Sequence, residues 1–164
     1  MEASSSAATV NYGERWTDLG NYIVDPLDAE AARERHERGR LYAAILGDPE
    51  RPWAHLDVRL EVGYVGVEFL DEQLREDLSY TFSRAPDSEG DLFLEQATWR
   101  SYDSSGDRFS AEHYIFEPPN LAHVAKLDYV ADEQETSDVE TDLAQNWEPV
   151  PAFGEYESIA RRER

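Results

Sequence analysis

The chain contains no cysteine among its 164 residues. Disulfide bonds, zinc sites built on thiolates and catalysis by a thiol are therefore excluded. Long apolar runs are also missing, since the longest aliphatic and aromatic stretch is about YAAIL, far too short to span a membrane. The opening MEASSSAATV lacks the basic and apolar regions of a secretory signal. We expect a soluble, cytoplasmic protein that does not bind membranes.

Positive charge is scarce. Fifteen basic residues face 36 acidic ones, which gives a formal net charge of -21 at pH 7. A field of this sign repels nucleic-acid backbones, so direct nucleic-acid binding is not expected. Three interpretations of the charge stay open: a solvated acidic surface, the recognition of a basic partner, and a mimic of nucleic-acid charge.

Motifs for catalysis and cofactor binding are absent too. The glycines are dispersed and form no phosphate-binding loop, and SSG at residues 104–106 lacks the flanks of a nucleophile elbow. The acidic runs do not have the spacing of a calcium-binding EF-hand loop. We therefore assign no catalytic residue, no metal ligand and no cofactor, although enzymatic activity is not ruled out.

What the sequence does contain is a clear β-pattern from Trp53 to Leu70. Apolar residues alternate with polar ones, as in a half-buried strand, and similar alternation recurs up to residue 130. Short turns at 85–90, 103–107 and 118–120 separate these segments. The pattern predicts an α+β fold with a curved antiparallel sheet of about six strands in meander order. The predicted core comprises Leu56, Val58, Leu60, Val67, Phe69, Tyr80, Phe82, Trp99 and Ile115.

A helix is predicted to precede the sheet and to pack on one of its faces. Asp25 and Pro26 make a suitable helix start, and Gly47 with Pro49 a suitable end. The helix should therefore span residues 26–46, with Gly39 as a weak point in its middle. Residues 1–10 are predicted to be a disordered leader. Residues 11–24, just before the helix, are expected to form a loop, a helical turn or an edge strand.

The predicted single domain, residues 11–164, ends in two segments of different character. Segment 131–148 holds seven acidic residues, and no basic residue occurs between Lys126 and Arg161. It is either a solvated connection or an acidic docking surface. Segment 149–164 carries spaced apolar residues and is predicted to pack back onto the sheet, ending in a short helix from about Gly154.

Histidines and aromatic residues provide candidates for a small-molecule site. His55, Asp57, Arg59 and Glu61 share the polar face of one strand, which by itself only indicates exposure to solvent. His113 and His123 fall on two successive predicted strands, which allows them to approach each other across the turn at 118–120. A curved sheet can also enclose an apolar pocket. Its candidate lining residues are Tyr64, Tyr80, Trp99, Tyr102 and Tyr114.

Two short motifs resemble those of the small acidic immunity proteins that accompany bacterial polymorphic toxins. They are EHYIFEPPN at residues 112–120 and NWEPVPAFGEY at residues 146–156. The resemblance covers about 20 residues, and Pro119-Asn120 stands where such hairpins have Asp-Gly. It implies a non-enzymatic inhibitor that binds a cognate toxin domain, and it carries over no functional residue.

The preferred hypothesis is therefore a non-catalytic protein that neutralises a basic protein partner, such as a toxin catalytic domain. Two alternatives are a small-ligand-binding or enzymatic scaffold of the cone or barrel type, and a nucleic-acid-mimicking inhibitor. Trp147, Phe153 and Tyr156 are candidate aromatic anchors if they are exposed. The predicted partner-binding residues are Asp132, Glu133, Glu135, Asp138, Glu140, Asp142 and Trp147.

Overall fold

The computed structural model describes residues 9–17, 19, 22–85 and 90–164. Within these ranges the chain forms one antiparallel sheet of eleven strands and one α-helix. The elements are β1 Val10–Thr17, β2 Tyr22–Leu27, α1 Ala29–Glu37, β3 Tyr42–Asp48, β4 Arg51–Arg59, β5 Tyr64–Leu70, β6 Glu76–Arg84, β7 Asp91–Tyr102, β8 Arg108–Glu117, β9 Leu121–Asp128, β10 Glu133–Glu140 and β11 Trp147–Pro149. The prediction of an antiparallel sheet with one helix is confirmed. The predicted number of strands, about six, is too low.

The sheet is an open meander. Strands β3 to β10 lie side by side in the order in which they occur in the chain, and β1 and β2 continue the sheet beyond β3. The short strand β11 pairs with the start of β7. The ends of this path, β2 and β10, are edge strands, so the sheet does not close into a barrel. In the part of the chain that the structure describes, no helix is long and apolar enough to cross a bilayer.

The predicted helix 26–46 is wrong at its start and in its second half, because Pro26 and Leu27 belong to β2 and residues 42–46 to β3. Helix α1 starts after Asp28, whose side chain accepts a hydrogen bond from the Ala31 amide at 2.8 Å, and it ends at Glu37. Gly39 has a φ of +69° and follows the helix end, as is common at a helix C-terminus. The run YAAIL at residues 42–46 then forms β3, because all five side chains are buried between two apolar layers.

Alternating side chains give the sheet two different faces. One face, here called the core face, carries an almost continuous apolar row across the strands. The row consists of Tyr12, Ala44, Leu56, Val67, Tyr80, Ala97, Tyr114 and Val124. The opposite face, here called the polar face, carries the equivalent row shifted by one residue. That row reads Asn11, Ile45, His55, Glu68, Ser79, Thr98, His113 and Ala125.

The core face is covered by two segments. Ala32 of α1 is fully buried in the main apolar cluster, next to β3. Residues 149–164 cross the same face and place Tyr156 and Ile159 in that cluster, each 1% exposed. This tail consists of turns, so the short helix predicted from Gly154 does not form.

Six of the nine predicted core residues are buried: Leu56, Val58, Val67, Phe69, Tyr80 and Phe82. Leu60 is only partly buried because β4 ends at Arg59 and residues 60–62 form a 3-10 turn. Ile115 is 43% exposed because it lies on the polar face of β8, whereas Tyr114 and Phe116 supply the apolar side chains. Trp99 lies on the core face but is 42% exposed, and its position bears on the candidate site.

Candidate functional site

The predicted acidic segment contains the edge strand β10. All eight residues of β10 are exposed, and four of them are acidic: Glu133, Glu135, Asp138 and Glu140. The strand pairs with β9 over its whole length, where Glu135 lies opposite Lys126 and Asp138 opposite His123. Such cross-strand pairs of opposite charge help an acidic sequence to adopt a strand. The outer side of β10 has no strand neighbour among the described residues.

His123 links this edge to the strands behind it. Its Nδ1 lies 2.7 Å from the carboxylate of Asp138, and its Nε2 lies 3.2 Å from that of Glu117. The hydrogen bond to Asp138 and, second, the one to Glu117 raise the pKa of His123 above its usual value. Asp138 is therefore tied to β9. The other three acidic side chains of β10 are exposed, Glu133 and Glu135 on the core face and Glu140 on the polar face.

The remaining predicted partner-binding residues lie outside β10. Asp132 is in the preceding turn and has a φ of 55°. Asp142 accepts a hydrogen bond from the Ala144 amide at 2.9 Å and so stabilises the turn after β10. Trp147 is 41% exposed, but it lies on β11 and packs at a tilt of 55° against Phe93, with ring centroids 4.9 Å apart. The structure thus brings the six acidic residues together along one edge and places Trp147 on a different strand.

Next to β10, the core face is left open. The C-terminal tail covers β3 to β7, and beyond it a groove of about 630 Å³ runs between the tail and strands β7 to β10. Three of the five aromatic residues predicted to line a pocket, Tyr80, Trp99 and Tyr114, line this groove. Val139 of β10 also lines it and is 46% exposed. The sequence identifies these aromatic residues but not that the tail covers Tyr80, whose hydroxyl donates to the Arg162 carbonyl, and leaves Trp99 42% exposed.

A hydrogen bond fixes one of these aromatic side chains. The Tyr114 hydroxyl donates to the Glu112 carboxylate at 2.6 Å. This bond, and burial after it, raise the pKa of Tyr114 to about 12. Tyr114 is consequently neutral at physiological pH, and its ring is held against Phe116 with a centroid separation of 6.0 Å. The groove therefore has a fixed aromatic floor beside the acidic edge.

The charged row predicted for the outer face of β4 is only partly exposed. Arg59 and Glu61 pair with each other at the surface, 2.8 Å apart. His55 is instead 4% exposed, because the indole of Trp16 stacks on its ring at 5.7 Å. Its Nε2 lies 2.7 Å from the carboxylate of Glu68 on the neighbouring strand. The β1–β2 hairpin, which the sequence left undefined, supplies this cover.

The pKa values of the two carboxylates next to His55 are shifted in opposite directions. Burial acts to raise the pKa of Glu68, but the contact with His55 and, more weakly, Arg100 outweigh it and hold the pKa below its usual value. For Asp57, burial dominates and raises the pKa, with Glu68 adding to the effect. One carboxylate oxygen of Asp57 is buried without a hydrogen-bond partner. Ionised Asp57 therefore opposes folding at neutral pH.

We expect Asp57→Asn to increase the free energy of unfolding at pH 7 by on the order of 1 kcal/mol. A carboxyl whose pKa is higher in the folded state favours folding most below its unfolded pKa of about 4 and loses that contribution as the pH rises. The stability gained by Asp57→Asn should therefore shrink when urea unfolding is repeated at progressively lower pH towards 4. Asp107→Asn, at an exposed turn position, is the matched control and should change little. An equal gain at all pH values would contradict this account of Asp57.

The other predicted histidine pair does not form. His113 Nδ1 lies 2.7 Å from the Thr98 hydroxyl, whereas His123 contacts the two carboxylates described above. In the described residues, no group of three or more histidine and carboxylate side chains is arranged to hold a metal ion.

Comparison with protein-family models, with curated proteins and with solved structures gives no match.

Proposed function

We propose that this protein is a non-catalytic binding protein that neutralises a basic protein partner, and that the partner is the catalytic domain of a cognate bacterial toxin. The observation that carries the proposal is the acidic edge strand β10, which is exposed along its entire length beside an open aromatic groove. The toxin assignment rests in addition on the sequence resemblance to immunity proteins.

Charge provides the first supporting argument. The six acidic residues from Asp132 to Asp142 lie in a stretch without any basic residue. A concentrated negative field of this kind speeds the encounter with a basic surface by about 10- to 1000-fold at low salt. The same field disfavours acidic partners, because like charges brought together at an interface are costly.

Anchor residues provide the second argument. Interface affinity usually depends on a few large side chains near the centre of the contact, with charged residues around them. Trp99 of β7 and Val139 of β10 are exposed apolar residues that line the groove at its two sides. The outer side of β10 can also accept an added strand from the partner, a common mode of recognition. Of the three anchors predicted from sequence, Tyr156 is buried and Phe153 is partly buried. Trp147 is exposed, but it lies on β11 and does not line the groove.

An acidic edge also has a purely structural use. Charged side chains on an edge strand prevent sheets from joining edge to edge. The other edge, β2, contains Asp25 and Pro26, and Pro26 can serve the same purpose. If protection were the only role of the β10 acids, neutralising them would promote self-association and leave partner binding unchanged.

The test starts by isolating the partner from the source cell and expressing it separately. The six acidic residues are then replaced by their amides, which keeps the side-chain shape: Asp132→Asn, Glu133→Gln, Glu135→Gln, Asp138→Asn, Glu140→Gln and Asp142→Asn. We expect the association rate at about 50 mM salt to fall at least tenfold and its salt dependence to flatten. A matched control neutralises six exposed acidic residues away from β10 and from the groove and should retain most of the rate: Glu30, Glu37, Glu50, Glu72, Glu155 and Glu157.

Three results would overturn the proposal: a captured partner that is not basic, equal association rates for both six-residue variants, or turnover of a substrate by the purified protein alone. Trp99→Ala should mainly raise the dissociation rate. Competition between the protein and duplex DNA for the same partner, if it is sensitive to salt, would instead favour the nucleic-acid mimic.

A further inference from the structure

A second, chemically different pocket lies on the polar face. It measures about 440 Å³ and is formed by side chains from β6, β7, β8 and β9 and by Tyr129. Hydrogen-bond donors dominate its lining, among them Ser79, Gln96, Thr98, Arg100, Arg108 and His113. No aspartate or glutamate is among its lining residues, in a chain that contains 36 of them. A donor-rich site without carboxylates is suited to an anion.

The two arginines and the histidine of this lining are held in place by their neighbours. Arg100 forms an ion pair with Glu76, which does not line the pocket, and donates to the Ser79 hydroxyl at 3.0 Å. Burial acts to lower the pKa of Arg108, but hydrogen bonding to Tyr129 and, second, to Tyr102 outweighs it and raises the pKa above its usual value. Neither of these two side chains carries a carboxylate, so the charge of Arg108 stays available to a ligand.

His113 adds a third directed group. Its Nδ1 contacts the Thr98 hydroxyl at 2.7 Å, and this contact fixes the orientation of the ring. When the hydroxyl donates to Nδ1, the proton of the neutral imidazole is on Nε2, which can then donate to a ligand oxygen. Side chains held in this way lose little entropy when a ligand binds, which favours binding.

We propose that this pocket binds a small oxyanion, presented by a phosphate or a carboxylate group, with Arg108 as its principal charged contact and His113 and Arg100 beside it. Guanidinium groups form charge-assisted hydrogen bonds with both kinds of anion. The volume is sufficient for a small metabolite, since ligand pockets commonly measure about 300–1,000 Å³. The inference does not depend on the partner-binding proposal, whose groove is on the opposite face of the sheet.

The experiment is an NMR titration of the full chain at pH 7 with sodium phosphate and, separately, with sodium succinate. Sodium chloride keeps the ionic strength constant, so that a general salt effect is excluded. We expect at least one of the two anions to shift the side-chain resonances of Arg108 and His113 in a saturable manner. A response to phosphate alone identifies a phosphoryl ligand, and a response to succinate alone identifies a carboxylate ligand.

Two variants and one control make the result specific. Arg108→Gln should weaken binding at least tenfold and His113→Gln several-fold, whereas Arg40→Gln, at an exposed arginine between α1 and β3, should bind as the unmodified protein does. Arg108 is itself exposed, so its replacement should leave the unfolding midpoint nearly unchanged. The proposal is overturned if neither anion gives saturable shifts at concentrations up to about 10 mM, which is about tenfold the Kd of a ligand that binds with millimolar affinity. It is equally overturned if Arg108→Gln binds as tightly as the Arg40→Gln control.

Discussion

Replacing Glu148 with glutamine is expected to lower the free energy of unfolding by about 3–5 kcal/mol. The Glu148 side chain is 3% exposed, and its carboxylate lies 2.9 Å from the Arg164 guanidinium, which is 4% exposed. Arg161 at 3.0 Å and the Ser158 hydroxyl at 2.7 Å complete its surroundings. Glutamine keeps the shape of the side chain but removes the charge, so the buried guanidinium loses its counter-charge.

Matched variants separate this buried pair from its neighbours. Arg161→Gln should cost at most about 1 kcal/mol, because Arg161 is 43% exposed. In the double variant Glu148→Gln/Arg164→Met, the loss should be clearly smaller than the sum of the two single losses, since no unpaired charge is left inside. Urea unfolding at pH 7 measures all of these values. If Glu148→Gln costs no more than Arg161→Gln, the buried pair does not anchor the tail.

This pair also affects the proposed binding surface. Arg162 and Arg164 line the aromatic groove, and Arg162 pairs with Asp77 of β6 at 2.7 Å. The tail therefore forms one wall of the groove, and Glu148 holds that wall in place. A loosened tail should change the groove even while the acidic edge strand remains intact, so Glu148→Gln should weaken partner binding through the dissociation rate.

The β-pattern of the sequence was informative where one face of a strand is apolar and the other polar. Alternation in β4 and β5 correctly predicts that Leu56, Val58, Val67 and Phe69 point into the core. Alternation alone does not say which face is buried when both carry apolar residues. For β8, alternation predicted Ile115 as a core residue, whereas Tyr114 and Phe116 are the residues that pack against the core. Only the pairing with neighbouring strands decides which face of β8 the core occupies.

Short apolar runs were ambiguous for a different reason. The run YAAIL at 42–46 is compatible with a continuation of the predicted helix and equally with a strand that is buried on both faces. Periodicity cannot distinguish the two. The deciding feature is the left-handed conformation of Gly39, in which a Cβ atom would lie 2.7 Å from the Glu61 amide nitrogen. That close approach to a residue more than twenty positions away is not visible in a sequence.

The candidate sites were predicted only in part, because both depend on the pairing of strands that are separate in the sequence. The sequence identified the acidic residues of β10 from their composition, but their pairing with β9 depends on the register. The sequence analysis placed Glu148 in the acidic segment 131–148 together with these residues and Trp147. In the structure Glu148 is buried, whereas Trp147 is exposed. The oxyanion pocket draws its side chains from four consecutive strands, and a single sequence gives no signal for such a long-range combination.

Replacing Tyr156 with alanine is expected to lower the free energy of unfolding by about 3–5 kcal/mol, the usual cost of removing a buried aromatic side chain. Tyr156 is 1% exposed and lies in the main apolar cluster, where the tail covers the core face. Its hydroxyl is 2.9 Å from that of Tyr42, which in turn is 2.9 Å from His36 Nδ1 on α1. Burial, followed by the influence of Tyr156, raises the pKa of Tyr42 above its usual value, so the Tyr42 hydroxyl stays protonated. The ring and the hydroxyl of Tyr156 thus connect the tail, the sheet and the helix.

The contributions of the ring and the hydroxyl can be measured separately. Tyr156→Phe removes only the hydroxyl and should cost about 1 kcal/mol, because Tyr42 keeps its contact with His36. Tyr22→Ala, at a tyrosine that is 56% exposed on the edge strand β2, controls for the loss of a surface ring and should change stability by about 0.5 kcal/mol or less. Urea unfolding curves of the three variants at pH 7 give the comparison. A Tyr156→Ala loss close to that of Tyr22→Ala would mean that the tail does not close the core face in solution, and the groove beside β10 would then extend across the sheet.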